Sequence, residues 1–253
     1  MEQTTNTLTA TQTSARPTVL REILVVGIGY LIYSQVRGLA GDRVFDAFAN
    51  GRTIVEMERD IGIFKELALQ AWIRPHNALV DIFNVIYVYG LFPLLLPTAA
   101  WLFVKRPQVY NRARNAFLAS GGIAVCFFLL LPTAPPRLMG MGFIDTLGAS
   151  FTPTYDSIPG VNHFAALPSM HVGWNFLTAV ALYMAFSGRR GRELILLLPV
   201  VMFTATVVTG NHYILDGVLG LLVAMIGLGL ALLIERWSEK RHQRALLQAP
   251  SSS

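Results

Sequence analysis

The chain has 253 residues, 53% of them hydrophobic and only 14% charged, with a mean hydropathy of +0.50 and a net charge of +5. An ordinary soluble domain carries about a quarter charged residues, so this composition excludes a globule surrounded by water and points to a protein embedded in a membrane. The single cysteine, Cys126, excludes an intramolecular disulfide. The positive charge sits in loops that would face anionic lipid, so it calls for no nucleic-acid partner.

In chain order, residues 1–17 are rich in threonine and read as a polar N-terminal tail. A helix needs about 20 mostly apolar residues to cross the hydrocarbon core. Six stretches meet that need: 18–36, 78–103, 115–133, 166–186, 194–210 and 214–234. The expected fold class is therefore all-α, an integral membrane bundle of six transmembrane helices forming one domain over 18–234. Arg21, Gly27 and Gly29 make the first stretch the weakest. No small-residue cleavage site follows it, which argues against a signal peptide.

Residues 42–75 lie between the first two spans. Val44, Phe45, Phe48, Val55, Ile61, Phe64, Leu67, Ala68 and Trp72 recur there near helical spacing among charges. That pattern predicts amphipathic helices at the outer interface, which either guide a headgroup inward or cover the bundle. Glu56, Glu58, Glu66 and Gln70 are candidate acceptor-binding groups. The glycine-rich loop 138–163 is long and without obvious structure of its own, as expected of a lid. Residues 235–253 read as a basic C-terminal tail outside the bundle.

Lysine and arginine beside membrane helices are retained on the cytoplasmic side. They gather before the first span, in "KRPQVYNRAR", in "SGRRGRE" and after the last span. Both termini are thus expected in the cytoplasm of a plasma or inner membrane. The segment 37–77, the loop 134–165 and the turn "TGNHY" then share the outer face.

On that face, "AALPSMHVGW" opens a helix at Pro168 and Ser169, and helix N-termini carry unpaired amides that attract anions. Proline suits the first helical position because it has no amide to leave unpaired. His171 stands beside this site, and in "TGNHYILD" His212 and Asp216 are four residues apart, on one helix face. An aspartate so placed fixes the imidazole tautomer and leaves the other nitrogen free to attack. Arg137, at the end of the proline-stiffened "PTAPPR", is placed to clamp phosphate oxygens, with Ser169 and Asn211 in the same phosphate-binding set. These residues predict phosphoryl transfer through a phosphohistidine. His212 attacks, Asp216 orients it, His171 protonates the leaving oxygen, and Arg137 holds the equatorial oxygens. The scheme uses no metal and no cofactor. His76, His163 and His242 have no partner pattern and read as non-catalytic.

The motifs resemble the type 2 phosphatidic acid phosphatase superfamily, and within it the branch of inositolphosphotransferases and inositol phosphorylceramide synthases. "PSMH" resembles the family's PSGH stretch with Met170 in place of glycine, and "HYILD" resembles the HxxxD end of its third stretch. Where that third stretch carries Ser-Arg this chain has Ala205 and Thr206, and the "RP" at Arg106 and Pro107 falls on the cytoplasmic side, away from the histidines. The resemblance covers roughly residues 37–220. It implies a six-helix membrane enzyme with a histidine nucleophile acting on a lipid phosphate or phospholipid, with a polyol or lipid alcohol as acceptor in the transferase branch. The expected activity is transfer of a phosphoryl-containing headgroup at the outer leaflet. Two alternatives are simple hydrolysis of a lipid or polyprenyl phosphate, and a non-enzymatic transporter using His171, His212 and Asp216 as a proton relay.

Overall fold

The computed structural model describes residues 18–39, 43–149 and 164–248. The N-terminal tail, residues 150–163 of the lid-like loop with His163, and the last five residues lie outside them, as does the side chain of His242.

The described residues are helical, with one isolated parallel bridge between Thr133 and Ala165. The helices are α1 (Val19–Leu39), α2 (Val44–Asp60), α3 (Glu66–Ile73), α4 (Asn77–Tyr89), α5 (Phe92–Lys105), α6 (Pro107–Leu130), α7 (Thr146–Ala149), α8 (Met170–Ala185), α9 (Leu198–Val208) and α10 (Ile214–Gln248). Short 3-10 turns occupy Pro136–Leu138 and Arg192–Leu197. Among the described residues two helices are long and apolar enough to cross a membrane, Pro107–Leu130 and Ile214–Arg241. The pair α4 and α5 makes a third as one span bent by 42°.

Several expected boundaries shift. The stretch 78–103 is two helices, because Gly90 interrupts and Pro93 starts a new first turn. A Cβ on Gly90 would lie 2.8 Å from the Met202 side chain, so the break is also a point of close packing. The basic loop before the third span is mostly helix, since Pro107 opens α6 eight residues before the apolar run begins. The stretch 194–210 begins as a 3-10 turn and leaves α9 only eleven residues. The tail from residue 235 continues α10 without a break as far as Gln248.

Helices α6, α8 and α10 form the centre, and small residues set their spacing. A Cβ on Gly220 of α10 would meet the Ser169 carbonyl at 2.1 Å, and one on Gly173 of α8 would meet the Gly220 carbonyl at 2.6 Å. One on Gly227 would meet the Ala116 carbonyl of α6 at 2.7 Å. Backbone-to-backbone approach of this kind replaces the hydrophobic drive that lipid cannot supply. Around it pack Phe128, Met170, Trp174, Leu177, Met202 and Val223, with the Trp174 indole N–H donating to Ser120 Oγ at 3.2 Å. At one end of the bundle Arg112 grips Glu235 with two bonds, at 2.7 and 2.9 Å, and Arg114 and Tyr110 both bind the buried Glu22 of α1. The other end carries the histidines.

The segment 42–75 is helical as expected, but the buried face differs. Ala47, Ile54, Val55 and Glu58 of α2 and Glu66, Gln70 and Ile73 of α3 are buried, while Phe45 is 92% exposed and Trp72 66%. Glu58 and Glu66 turn inward here because the start of α10 needs acceptors, and Gln70 turns inward to bond the Ile144 backbone.

Candidate functional site

The close contact at Gly220 brings the start of α8 against the start of α10. His171, in the first turn of α8, lies 5.8 Å from His212 between ring centroids, the rings tilted by 55°. His212 precedes α10, and Asp216 is in its first turn. The turn that presents His212 is tight. The Thr206 carbonyl accepts the amides of both Asn211 and His212, at 3.0 and 3.1 Å, and Gly210 takes φ +71°, a backbone that side chains resist.

His212 Nδ1 lies 2.9 Å from the Ala166 carbonyl and 3.3 Å from Asp216 Oδ2. A carbonyl can only accept, so Nδ1 carries the hydrogen and Nε2 the lone pair. Asp216 is fully buried, accepts the Tyr213 amide at 3.0 Å, and donates nothing while ionised. Asp216 was expected to set the tautomer; the structure adds the Ala166 carbonyl as a shorter contact. That carbonyl is held in place by the bridge to Thr133, whose own carbonyl accepts the Ala166 amide at 3.2 Å.

Tyr87 of α4 completes the cluster. Its ring stacks on His171 at 4.5 Å and meets the His212 ring edge-on at 6.3 Å. Neither Tyr87 nor Ala166 was in the expected set. Tyr87 shares the α4 run with Asp81, Asn84 and Tyr89, so nothing in the sequence singles it out, and a backbone carbonyl has no sequence signature.

The expected phosphate-binding residues divide. The Arg137 amide donates to the Gly210 carbonyl at 2.8 Å, which places this arginine beside the His212 turn, and its guanidinium pairs with Asp145 at 2.7 Å. Ser169 is fully buried with no hydrogen-bond partner for Oγ among the described residues. Its amide, however, donates to the Asp216 carbonyl at 2.9 Å and is not available to a phosphate. Pro168 does not occupy the first helical position, because α8 starts at Met170 with Ser169 as its N-cap. Asn211 is buried and donates to Thr209 Oγ1 at 2.8 Å. Ala205 and Thr206 are both buried on α9. Arg106 and Pro107 begin α6 at the end opposite the histidines, about 36 Å of helix away from its C-terminus.

The base of the lid-like loop is fastened down. Gln70 exchanges two bonds with the backbone of Ile144, both 2.9 Å, and Asn84 does the same work at Thr146, at 2.9 and 3.0 Å. Gln70 thus ties α3 to the base of the loop. Glu58 and Glu66 are likewise buried beneath the site, whereas Glu56 is exposed.

A profile of the PAP2 superfamily matches residues 52–230. The phosphoinositol dihydroceramide synthase of Bacteroides thetaiotaomicron is 28% identical over 175 residues, which cover 60% of this chain and 55% of that protein. The chain thus spans about half the length of that curated relative. No solved structure matches it. The family match takes in α3 to α9 whole, with both histidines and the aspartate that the packing of α8 on α10 brings together, and on that ground the chain belongs to the PAP2 superfamily.

Proposed function

We propose that this protein is a membrane-embedded lipid phosphotransferase that moves a phosphoryl-containing headgroup from a phospholipid to an alcohol through a phosphohistidine at His212. The observation that carries the reading is His212 with Nδ1 anchored by Ala166 and Asp216, Nε2 free, and a second histidine 5.8 Å away. In the first step Nε2 attacks phosphorus, the bond to the lipid oxygen breaks, and His171 delivers a proton to that oxygen. In the second His171 takes the proton of an incoming hydroxyl, the new phosphorus–oxygen bond forms, and the bond to Nε2 breaks. Asp216 stabilises the positive charge that the imidazole acquires in between. Arg137 and Ser169 hold the phosphate oxygens, with Arg137 beside the segment where the family's arginine is replaced by Thr206.

The named relative supports a phosphoinositol-type headgroup and a dihydroceramide-type lipid alcohol as acceptor. A lipid donor is supported by a cavity of about 650 Å³ between α1, α5, α6 and α8, with walls of Tyr33, Phe92, Leu96, Phe117 and Trp174. Trp174, Thr178 and Ala181, which line the cavity, share the α8 stripe that begins at His171. In this reading six spans cross the bilayer, α2 and α3 lie at the outer interface, both termini are cytoplasmic, and the histidines face the outer leaflet.

The test is to incubate detergent-purified protein with phosphatidate, phosphatidylinositol and phosphatidylglycerol, with and without dihydroceramide or inositol. The expected outcome is a new phospholipid only when dihydroceramide is present, and a water-soluble inositol phosphate ester when inositol is. Release of free phosphate regardless of alcohol would make the protein a hydrolase instead.

A further inference from the structure

Glu58 and Glu66 take part in no step of that reaction, yet both are fully buried and both reach the start of α10. The Leu215 amide donates to Glu58 Oε1 at 2.7 Å and the Ile214 amide to Glu66 Oε1 at 2.8 Å. With the Tyr213 amide on Asp216, three consecutive amides directly after His212 are held by carboxyls from α2, α3 and α10. First-turn amides have no intrahelical acceptor and form the positive end of the helix dipole, so carboxyl oxygens are favourable partners there.

Two adjacent buried carboxylates repel each other, however, and that sets a further condition. The second oxygens, Glu58 Oε2 and Glu66 Oε2, have no partner in the rest of the described residues. Their Oε1 atoms sit on neighbouring amides, so the two carboxyls lie side by side, and their unpartnered oxygens can satisfy one another only if one carboxyl keeps a proton. Burial first, and then the neighbouring Glu66 carboxyl, push the Glu58 carboxyl up to about 9, with Asp216 adding to the effect. The other titratable groups facing the pair are Tyr213 and, through Asp216, His212.

We propose that Glu58 and Glu66 form a proton-sharing pair that positions His212 and Asp216 by clamping the first turn of α10. The proposal rests on His212 being the nucleophile, and it makes both glutamates positioning residues. Loss of the shared proton drives the two carboxylates apart and loosens the amides that fix the His212 turn.

Glu58→Gln imitates the protonated carboxyl, since it offers Leu215 an oxygen and Glu66 an N–H donor. Glu58→Ala offers neither. The experiment compares full-length wild type and both variants in lipid–detergent micelles, reading turnover of phosphatidylinositol from pH 7 to 10 and the ring ¹⁵N signals of His212. Glu58→Gln is expected to rescue what Glu58→Ala loses, and its kcat relative to wild type is expected to rise about tenfold between pH 8 and 10, because a group titrating near 9 is about nine-tenths deprotonated one unit higher. Glu58→Ala is expected to lower kcat with little change in KM and to mix the His212 tautomers. The proposal is overturned if Glu58→Gln keeps a constant ratio to wild type across the whole range, or if Glu58→Ala keeps both kcat and the Nδ1–H signal. If Glu58→Ala does not fold, the pH ratio of Glu58→Gln decides alone. If wild type turns over no lipid, the functional reading fails, and the His212 signals of Glu58→Gln against wild type above pH 9 still decide the positioning.

Discussion

The two histidines are held by different kinds of contact. His212 is fastened at Nδ1 by two acceptors, and His171 is stacked on the face of Tyr87, which fixes the plane of its ring. A fixed lone pair suits a nucleophile, and a fixed ring plane suits an acid–base group that faces it. Asp216→Asn keeps the side-chain shape and removes the charge that balances the imidazolium, so kcat on phosphatidylinositol is expected to fall by about 10² to 10⁴ with KM little changed. Steady-state kinetics check this, and an equal rise in KM would show that Asp216 acts on binding. Arg137→Lys replaces a planar fork by a point charge, and kcat/KM is expected to drop about tenfold or more, measured on the same donor. His171, His212 and Asp216 were legible because their spacing lies within single motifs. The inward turn of Glu58 and Glu66 was not, because the reason for burying them is the unsatisfied start of a helix about 150 residues away in the chain, and Gln70 turns inward for the Ile144 backbone, 74 residues away.

At the scale of the element, the site depends on how closely α8 and α10 approach. Gly220 is where the Ser169 backbone rests, and any Cβ there would push apart the two helices that carry His171 and Asp216. Gly220→Ala is therefore expected to reduce both the melting temperature and turnover in purified protein, by more than tenfold in kcat. Gly229→Ala, nine residues further along the same helix, meets nothing within 4 Å and is expected to leave both unchanged. Thermal melts and initial rates on the pair of variants separate a packing requirement from a general effect of glycine on α10. The all-helical class was legible from apolar length alone. The break at Gly90, the 3-10 start before α9 and the helical extension to Gln248 were not, because a hydropathy window registers apolar length and not backbone breaks or polar helix.

At the scale of the whole molecule, polar groups fasten the bundle at opposite ends: the buried Glu22 with Arg114 and the half-buried Arg112 with Glu235 at one, the histidines and carboxyls at the other. The carboxyl end gives stability a pH dependence of definite sign. Glu58 has a folded-state value of about 9 against an ordinary 4.5, so between those values the folded protein binds a proton that the unfolded chain has released. Its contribution is fully present below about pH 4.5 and is lost as pH rises through about 9. The melting temperature of wild type relative to Glu58→Gln is expected to fall steadily from pH 5 to pH 9, and a constant difference would contradict the shared proton. Membrane embedding was legible from composition, and the family from two short motifs; the carboxyls beneath the site became visible only when α2, α3 and α10 were seen together. The most direct test of the central chemistry is to mix wild type and His212→Gln with a phospholipid donor, quench with denaturant at alkaline pH, where a phosphohistidine survives, and map the modified peptide by mass spectrometry. A headgroup phosphate on His212 of wild type, absent from the variant and discharged by added lipid alcohol, is the predicted result. Product formed at the same rate by His212→Gln, or a phosphate carried on another residue, would contradict it.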